Sequence, residues 1–356
     1  MHPAPAPKAD GGSTIEDAAQ PSPELDHARA IHRANVVIDA CCPILSDLRH
    51  AHLWLDGGVS AGFATMALTD DDLTTTVRRI GSWYRQAREH AATVRHATTT
   101  HDLRAAHDEG RLAVVLAFQN TSPFGDDLDT VELFHRLGVR AAVLAYNQAE
   151  LAGDGCMEPR DAGLSAFGQR LVAEMNRVGM LIDVSHCGVR TSLEAIDASA
   201  APVAFTHTGA KGIYDHPRNV SDEQLRAVAE RGGFVGINAL PVFLRAGTAS
   251  PDIDDVVDHL EYVAERIGIE HVGLGLDFSQ PPDQPGISPE RYAMLTRQGV
   301  WTEATLPPPP WRYPLASAAE APRLTRRLLE RGFAESDVIG VLGGNVMRVL
   351  QRVWAD

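Results

Sequence analysis

Eight short apolar runs, each separated from the next by a longer polar or helix-like segment, constrain the fold of this chain more than any other feature. The runs are nearly continuous rather than alternating, which is typical of strands that are buried on both faces. They span residues 36–41, 60–68, 112–119, 140–146, 180–186, 202–207, 234–240 and 271–277. Strands that alternate with helices predict a parallel sheet, and eight such strands predict a (β/α)8 barrel.

Helical patterns occupy the segments between these runs. Apolar residues recur at helical spacing between Leu164 and Val178, and Ser221 with Gln224 forms a capping box that predicts the start of another helix. A doubly wound open sheet is the competing architecture. It is disfavoured because no glycine-rich phosphate-binding loop follows the first run.

The chain is expected to form one folded domain. Residues 1–24 are rich in Pro, Ala, Gly and Asp and are predicted to be disordered, whereas residues 25–356 carry the barrel pattern. The Pro-rich segment 280–321 is long for an ordinary connection. We therefore expect it to be an insertion that forms a loop beside the mouth of the site.

Composition narrows the class of partner and the cellular setting. The net charge of −15 argues against nucleic acid and anionic membranes as partners. The N-terminus lacks the basic and apolar regions of a signal peptide, and no apolar run reaches the length of a membrane helix. Four cysteines do not form a disulfide framework in a chain of 356 residues. A cytoplasmic location is therefore expected.

Functional side chains of a barrel lie at the C-terminal ends of its strands. In this chain those ends carry Asp39, Cys41, Gln119, Tyr146, His186, His207, Asn238 and Asp277. His186 and His207 on consecutive strands, with Asp277 on the last strand, predict a metal-dependent site. The competing interpretation is that each histidine is a hydrogen-bonded core residue and that Asp277 accepts backbone N–H groups in a turn.

Arg218 lies in the segment 213–219, which follows the strand that ends in His207. A guanidinium at the mouth of the barrel suits bidentate binding of a substrate carboxylate or phosphate. An ion pair with a surface aspartate is an equally good interpretation of the spacing. His216, in the same segment, is interpreted as a loop residue.

The chain resembles the membrane (renal) dipeptidases from about residue 30 to its C-terminus. The resemblance is carried by residues 163–188, 206–238, 271–279 and 342–350. It implies a zinc-dependent barrel of the amidohydrolase type, a binuclear site that hydrolyses a dipeptide or related amide, and a homodimer. By the same resemblance, His186 and His207 bind one metal. Asp277 binds the other metal and handles protons, and Arg218 binds the substrate carboxylate.

The remaining positions of the site depart from the family pattern. Where the family has a histidine and an aspartate after the first strand, this chain has Cys41 and Pro43. Gln119 stands in place of the bridging glutamate, and Tyr146 in place of the histidine that polarises the scissile carbonyl. Two divalent ions need anionic ligands to offset their repulsion, so these changes predict that a standard binuclear centre is absent.

We therefore predict one divalent metal on His186 and His207, assisted by Gln119, Asp277 or water. Zinc is the expected metal, with iron or manganese as alternatives. Two other interpretations stay open, namely that Cys41 joins as a thiolate ligand or that the site holds no metal.

The predicted function is that of a dipeptidase-like, metal-dependent hydrolase that acts on a small amino-acid or dipeptide-like substrate with a carboxylate. Arg218 and Tyr146 are assigned to substrate binding, and Asp277, Tyr146 and Cys41 to catalysis. Three alternatives are an orthodox zinc dipeptidase with altered ligands, a non-catalytic barrel that binds a small molecule, and a non-hydrolytic mononuclear metal enzyme. A fourth is a metal-independent enzyme that uses Cys41 as its nucleophile.

Overall fold

A computed structural model describes residues 22–68, 71–248, 250–281, 289–297, 301–303, 305–308 and 311–354. Residues 1–21, most of the segment that is predicted to be disordered, lie outside the described residues. Within the described residues no helix is both long enough and apolar enough to cross a membrane. The assignment of residues 25–356 to one domain stays a prediction.

The strands form one parallel sheet. They are β1 (Ile38–Cys42), β2 (Ala61–Ala67), β3 (Val94–His96), β4 (Leu112–Phe118), β5 (Val139–Val143), β6 (Leu181–Asp183), β7 (Ala204–Thr208), β8 (Phe234–Ile237) and β9 (Val272–Leu274). Their order is β1-β2-β4-β5-β6-β7-β8-β9, and β3 pairs with β4 outside this path. The eight predicted runs coincide with the eight strands of the path. The sequence gives no sign of β3, because Arg95 and His96 of its three residues are only half-buried and no apolar run marks it.

The barrel closes between the last strand and the first. The Asp277 backbone N–H donates to the Cys41 carbonyl oxygen (3.1 Å), and the Leu276 N–H donates to the Asp39 carboxylate (2.8 Å). The second Asp39 oxygen accepts a hydrogen bond from the Trp54 indole (3.0 Å). The predicted (β/α)8 barrel is thus confirmed, and a buried side chain supports the seam at which it closes.

Helices follow most of the strands and cover the outside of the sheet. They are α1 (Pro23–Ala34), α2 (His52–Asp56), α3 (Leu73–Glu89), α4 (Thr100–Asp108), α5 (Asp129–Arg136), α6 (Ala166–Val178), α7 (Val189–Ala198), α8 (Asp222–Glu230), α9 (Ile253–Ile267), α10 (Pro289–Arg297), α11 (Ala321–Glu330), α12 (Glu335–Ile339) and α13 (Asn345–Val353). The predicted capping box starts α8, since the Ser221 hydroxyl accepts from the Gln224 N–H and the Gln224 side chain accepts from the Ser221 N–H.

The core inside the barrel is apolar at the end where the strands begin. Residues from the starts of the strands, such as Ile38, Ala61 and Phe234, pack with Val346 and other residues of α13. Trp354, which follows α13, stacks on Phe63 of β2 with ring centroids 6.3 Å apart. Because α13 and its aromatic neighbour fill this end, the polar side chains lie at the opposite end, where the strands finish.

The Pro-rich segment 280–321 packs beside the loop that carries Arg218. Its Trp301 lies in a buried apolar group with Phe243, from the loop after β8. The imidazole of His216 is hydrogen-bonded through Nε2 to the Thr305 carbonyl oxygen (2.9 Å), and it packs against the Phe243 ring at an interplanar angle of 48°. These contacts put the described part of the segment at the polar end of the barrel.

Candidate active site

The ends of β6 and β7 bring His186 and His207 into contact. Their Nε2 atoms are 2.9 Å apart, and the two residues are 5 % and 1 % exposed. His186 has a backbone φ of +65°, a conformation that costs energy for a residue other than glycine. The chain therefore makes a strained turn directly after β6, and this turn directs the His186 ring toward its neighbour. We call these two residues the histidine pair.

Hydrogen bonds on the far side of each ring decide where the protons lie. The Nδ1 atom of His186 is 2.8 Å from the Asn147 amide oxygen, which can only accept, so Nδ1 carries the hydrogen. The Nδ1 atom of His207 is 2.7 Å from the Thr206 hydroxyl, whose own hydrogen is donated to the Asp183 carboxylate. The His207 Nδ1 therefore also carries a hydrogen and donates it to Thr206.

Both Nε2 atoms consequently present a lone pair to the same point. Burial first, and then the positive charge of Arg218, lower the pKa of both imidazoles well below their ordinary value, so the rings are neutral. Two lone pairs at 2.9 Å repel each other unless a cation lies between them. Histidine ligands whose other nitrogen is held by an acceptor are the usual arrangement at protein metal sites. The histidine pair thus fits a metal ion.

A second group of side chains lies at the ends of β1, β2, β4 and β9, and we call it the thiol cluster: Cys41, Thr65, Gln119 and Asp277. The Cys41 thiol donates to an Asp277 carboxylate oxygen (3.5 Å). The Gln119 amide nitrogen donates one hydrogen to the Cys41 sulfur (3.4 Å) and the other to the Thr65 hydroxyl (3.1 Å). Both hydrogens of this amide group are therefore used. All four side chains are buried.

The electrostatics of the thiol cluster favour its neutral forms. Burial, and then the charge of Asp277, raise the pKa of the Cys41 thiol well above its ordinary value. Burial raises the pKa of Asp277 to about 7, against the opposing effect of Arg218. A protonated thiol and an amide N–H group offer donors rather than the anionic ligands that a divalent ion needs.

A binuclear centre does not fit these residues. Across the part of the chain that the structure describes, no three His, Cys, Asp or Glu side chains form a group that could hold a metal ion. The predicted ligand set divides in two: His186 and His207 meet, whereas Gln119 and Asp277 meet at Cys41. His207, Gln119 and Cys41 do line one small cavity of about 10 Å³. That volume suits a single water molecule.

Arg218 lies buried beside both groups, with 2 % of its surface exposed. One terminal nitrogen donates to the His207 carbonyl oxygen (2.6 Å). The other two guanidinium nitrogens are buried and have no hydrogen-bond partner among the described residues. Buried donors without partners are costly, so an anionic ligand such as a carboxylate fits this position. The described residues contain no ion pair between Arg218 and a surface aspartate, the competing sequence interpretation.

His216 supports Arg218 from a buried position, which the sequence did not reveal. Its Nδ1 accepts the Arg218 backbone N–H (3.1 Å), while its other nitrogen contacts the Thr305 carbonyl oxygen. It is 1 % exposed, so it is a fixed part of the loop rather than a surface residue. The Phe243 ring lies below the guanidinium, with its centroid 5.7 Å from the Arg218 Cζ atom.

Tyr146 covers the other side of the histidine pair. Its ring stacks on His186 with centroids 3.9 Å apart and an interplanar angle of 25°. The Tyr146 backbone N–H donates to Glu150 (2.9 Å), which also accepts from the Thr121 N–H (3.4 Å). Burial raises the pKa of Glu150 to about 7. Asn238 at the end of β8 is fully buried, and neither polar atom of its side chain has a partner among the described residues.

The sequence model of the membrane dipeptidase family, peptidase family M19, matches residues 25–305. The chain belongs to this family. Dipeptidase aclJ from Aspergillus oryzae is 34 % identical over 250 residues, which are 69 % of this chain and 53 % of that protein. Dipeptidase tcpJ from Claviceps purpurea is 31 % identical over 254 residues, covering 71 % and 53 %. This M19 chain thus spans about half the length of these curated relatives.

Solved structures share the fold of this chain. An amidohydrolase from Pseudomonas aeruginosa superposes with a TM-score of 0.83 at 35 % identity, covering 92 % of this chain and 99 % of that one. A metallo peptidase from Rhodobacter sphaeroides, liganded with a phosphinate mimic of the dipeptide L-Ala-D-Ala, has a TM-score of 0.74 at 22 % identity. It covers 90 % of this chain and 99 % of its own, and this likeness shows the shared fold alone.

Proposed function

We propose that this M19 family member is a metal-dependent hydrolase that cleaves the amide of a small, dipeptide-like substrate with a free carboxylate. The observation that carries the proposal is the histidine pair, whose two Nε2 lone pairs converge at 2.9 Å. Family membership and the dipeptidase names of the relatives support the reaction class.

His186 and His207 would hold one divalent metal, with zinc first and iron or manganese as alternatives. When bound, such an ion supplies a Lewis acid that activates water or polarises a carbonyl. The thiol cluster supports a single ion rather than two, because the Cys41 thiol and the Gln119 amide offer hydrogens where a second ion would need anionic ligands.

Arg218 would bind the substrate carboxylate through its two unpartnered guanidinium nitrogens. Charge-assisted hydrogen bonds from these buried nitrogens would fix the position of the substrate carboxylate. Arg218 would also favour a substrate with a free carboxylate, since without one the buried donors stay unpaired.

Asp277 would accept and return a proton during hydrolysis. A carboxyl group with a pKa of about 7 is partly ionised at neutral pH, which suits a group that acts as base and then as acid. The Cys41 thiol contacts one of its oxygens. Tyr146, stacked on His186, is proposed to orient the scissile carbonyl.

The alternative in which Cys41 is a nucleophile has less support. A nucleophilic cysteine must be a thiolate, yet burial and Asp277 both raise the pKa of this thiol. Its contacts instead suit a group that holds Asp277 in place.

Metal analysis and a dipeptide panel test the proposal together. We expect about one metal ion per purified chain and release of amino acids from dipeptides with a free C-terminal carboxylate. The His186→Ala variant should lose both. Metal content near background, with no rescue by added zinc, iron or manganese, would contradict the proposal. Substrate binding without turnover in the metal-loaded protein would favour the non-catalytic barrel.

A further inference from the structure

We infer that Asn147 is a positioning residue that selects the metal-binding tautomer of His186. The inference rests on the proposed function in one respect, namely that the histidine pair holds a metal ion. Nothing in the type or spacing of Asn147 marks it in the sequence, where it simply follows the run that ends in Tyr146. Its role becomes visible only in the contacts of its side chain and backbone.

The Asn147 side chain is 1 % exposed and faces the far side of the His186 ring. Its amide oxygen accepts from the His186 Nδ1–H (2.8 Å) and from the Cys156 thiol (3.5 Å). No charged group takes part in this contact. His207 differs, because its Nδ1 is tied through Thr206 to the Asp183 carboxylate.

The backbone holds Asn147 in an unfavourable conformation to keep this contact. Its φ is +63°, as unusual for a non-glycine residue as the +65° of His186. The Met157 N–H donates to the Asn147 carbonyl oxygen (2.8 Å), and the Cys156 N–H donates to the His186 carbonyl oxygen (2.7 Å). The segment that contains Cys156 and Met157 thus holds both strained residues in place through backbone hydrogen bonds.

Gly155 allows that segment to approach so closely. A Cβ atom at this position would lie 2.1 Å from the Asn147 carbonyl carbon, a distance that no side chain tolerates. Strain and close packing of this kind persist where the surrounding structure enforces them, and they cluster at functional sites. The fold therefore enforces the contact between Asn147 and His186.

The chemical need for Asn147 follows from the distance between the two rings. If the His186 hydrogen moved from Nδ1 to Nε2, that N–H would donate directly to the His207 Nε2 at 2.9 Å. The pair would then satisfy itself with an internal hydrogen bond and offer a metal one lone pair fewer. The Asn147 oxygen prevents this by holding the hydrogen on Nδ1, since an amide oxygen can only accept.

Nitrogen-15 NMR of the metal-free protein, with labelled histidine, reads the tautomer directly. In the wild type we expect His186 to carry its hydrogen on Nδ1. Asn147→Gly accepts the left-handed backbone without strain, and Asn147→Leu fills the space with carbon so that water cannot replace the oxygen. Both should move the hydrogen to Nε2. Asn147→Asp keeps an acceptor and should preserve the wild-type tautomer.

Zinc titration by calorimetry supplies the second readout. Loss of a partner that orients a metal-bound histidine lowers metal affinity about 10- to 100-fold, and we expect this for Asn147→Gly and Asn147→Leu but not for Asn147→Asp. Asn345→Gly is the matched control, because Asn345 is a buried amide whose nitrogen donates to two backbone carbonyl groups away from the site.

The outcomes separate this inference from the proposed function. If His186 keeps its Nδ1 hydrogen in both the Gly and Leu variants, the inference is overturned. Unchanged zinc affinity in those variants would overturn it as well. If the wild type binds none of zinc, iron and manganese while the tautomer still depends on Asn147, the proposed function fails and the positioning role stands.

Discussion

The histidine pair and the thiol cluster are equally buried and lie at the same end of the barrel, yet their hydrogen bonds have opposite consequences. In the histidine pair, acceptors outside the rings hold both hydrogens away from the centre, so two lone pairs point inward. In the thiol cluster, Gln119 and Cys41 direct their hydrogens toward neighbouring acceptors. The histidine pair therefore presents two lone pairs that suit a cation, whereas the hydrogens of the thiol cluster already have acceptors.

The comparison teaches that burial alone does not identify a metal site. Cys41, Gln119 and Asp277 of the thiol cluster stand at positions where the resemblance to the membrane dipeptidases implies metal ligands. What separates the two groups is the direction of each N–H or S–H bond, and this is set by neighbours such as Thr206 and Thr65.

The largest expected effect comes from breaking the histidine pair. His207→Ala removes one of its two ligands, so metal content should fall from about one ion per chain to background and hydrolysis should stop. Plasma mass spectrometry of the purified variant checks this. Gln119→Ala, in the thiol cluster, is the matched comparison and should keep its metal. Loss of metal in both variants would mean that the two groups act as one site.

A smaller effect is expected from Arg218, which lies beside both groups. Arg218→Lys keeps the charge but loses the planar guanidinium and its buried donors, so kcat/KM should fall about 100-fold for a dipeptide with a free carboxylate. For the C-terminal amide of the same dipeptide the loss should be slight. Arg226→Lys, on the exposed face of α8, serves as the control. An equal loss of kcat/KM for both substrates would show that Arg218 does not bind the substrate carboxylate.

A third experiment asks whether the thiol cluster can bind metal once it regains the negative charge that the family pattern has at position 119. Gln119→Glu replaces two donated hydrogen bonds with a buried carboxylate, which should lower the free energy of unfolding by about 2 kcal/mol without metal. Urea denaturation measures this loss. With excess zinc, and with Cys41→His in the same chain, we expect part of the stability to return and metal content to rise. No response to zinc would mean that the cluster cannot be converted.

The smallest effect concerns Glu150, which joins the loops after β4 and β5 through the Thr121 and Tyr146 N–H groups. Burial raises its folded pKa from 4.5 to about 7, so the folded state holds its proton to a higher pH than the unfolded chain does. Stability should therefore fall as pH rises, by about 1 kcal/mol between pH 6 and 8. Glu150→Gln should remove this component. Denaturant unfolding of both proteins across that range checks the difference.

The sequence was sufficient for the barrel and for the positions of the site residues along the chain. Six of the eight predicted runs contain or end at a residue of one of the two groups. Parallel strands finish at the same end of a barrel, so the meeting of His186 with His207 follows. The contact of Cys41 with Asp277 follows from the barrel closing between its last strand and its first.

The hydrogen bonds that distinguish the two groups could not be predicted. Asn147 and Thr206 are common residue types at positions that no sequence motif marks. Their importance comes from the contact of the Asn147 amide oxygen with the His186 ring and of the Thr206 hydroxyl with the His207 ring. The burial of His216 likewise depends on the Thr305 carbonyl group, far away in the sequence. Such contacts arise from tertiary packing, which neither periodicity nor local propensity encodes.

The seam at which the barrel closes has a consequence for the evolvability of this site. The seam is closed by the Asp39 carboxylate and the backbone carbonyl oxygen of Cys41, and the Cys41 side chain adds one longer contact across it, from its thiol to Asp277. At the end of β1, the atoms that close the barrel are therefore largely different from the side-chain atoms that could take part in a reaction. A lineage can exchange the reactive side chain at position 41 without opening the barrel, so the scaffold can explore new chemistry while its architecture stays the same.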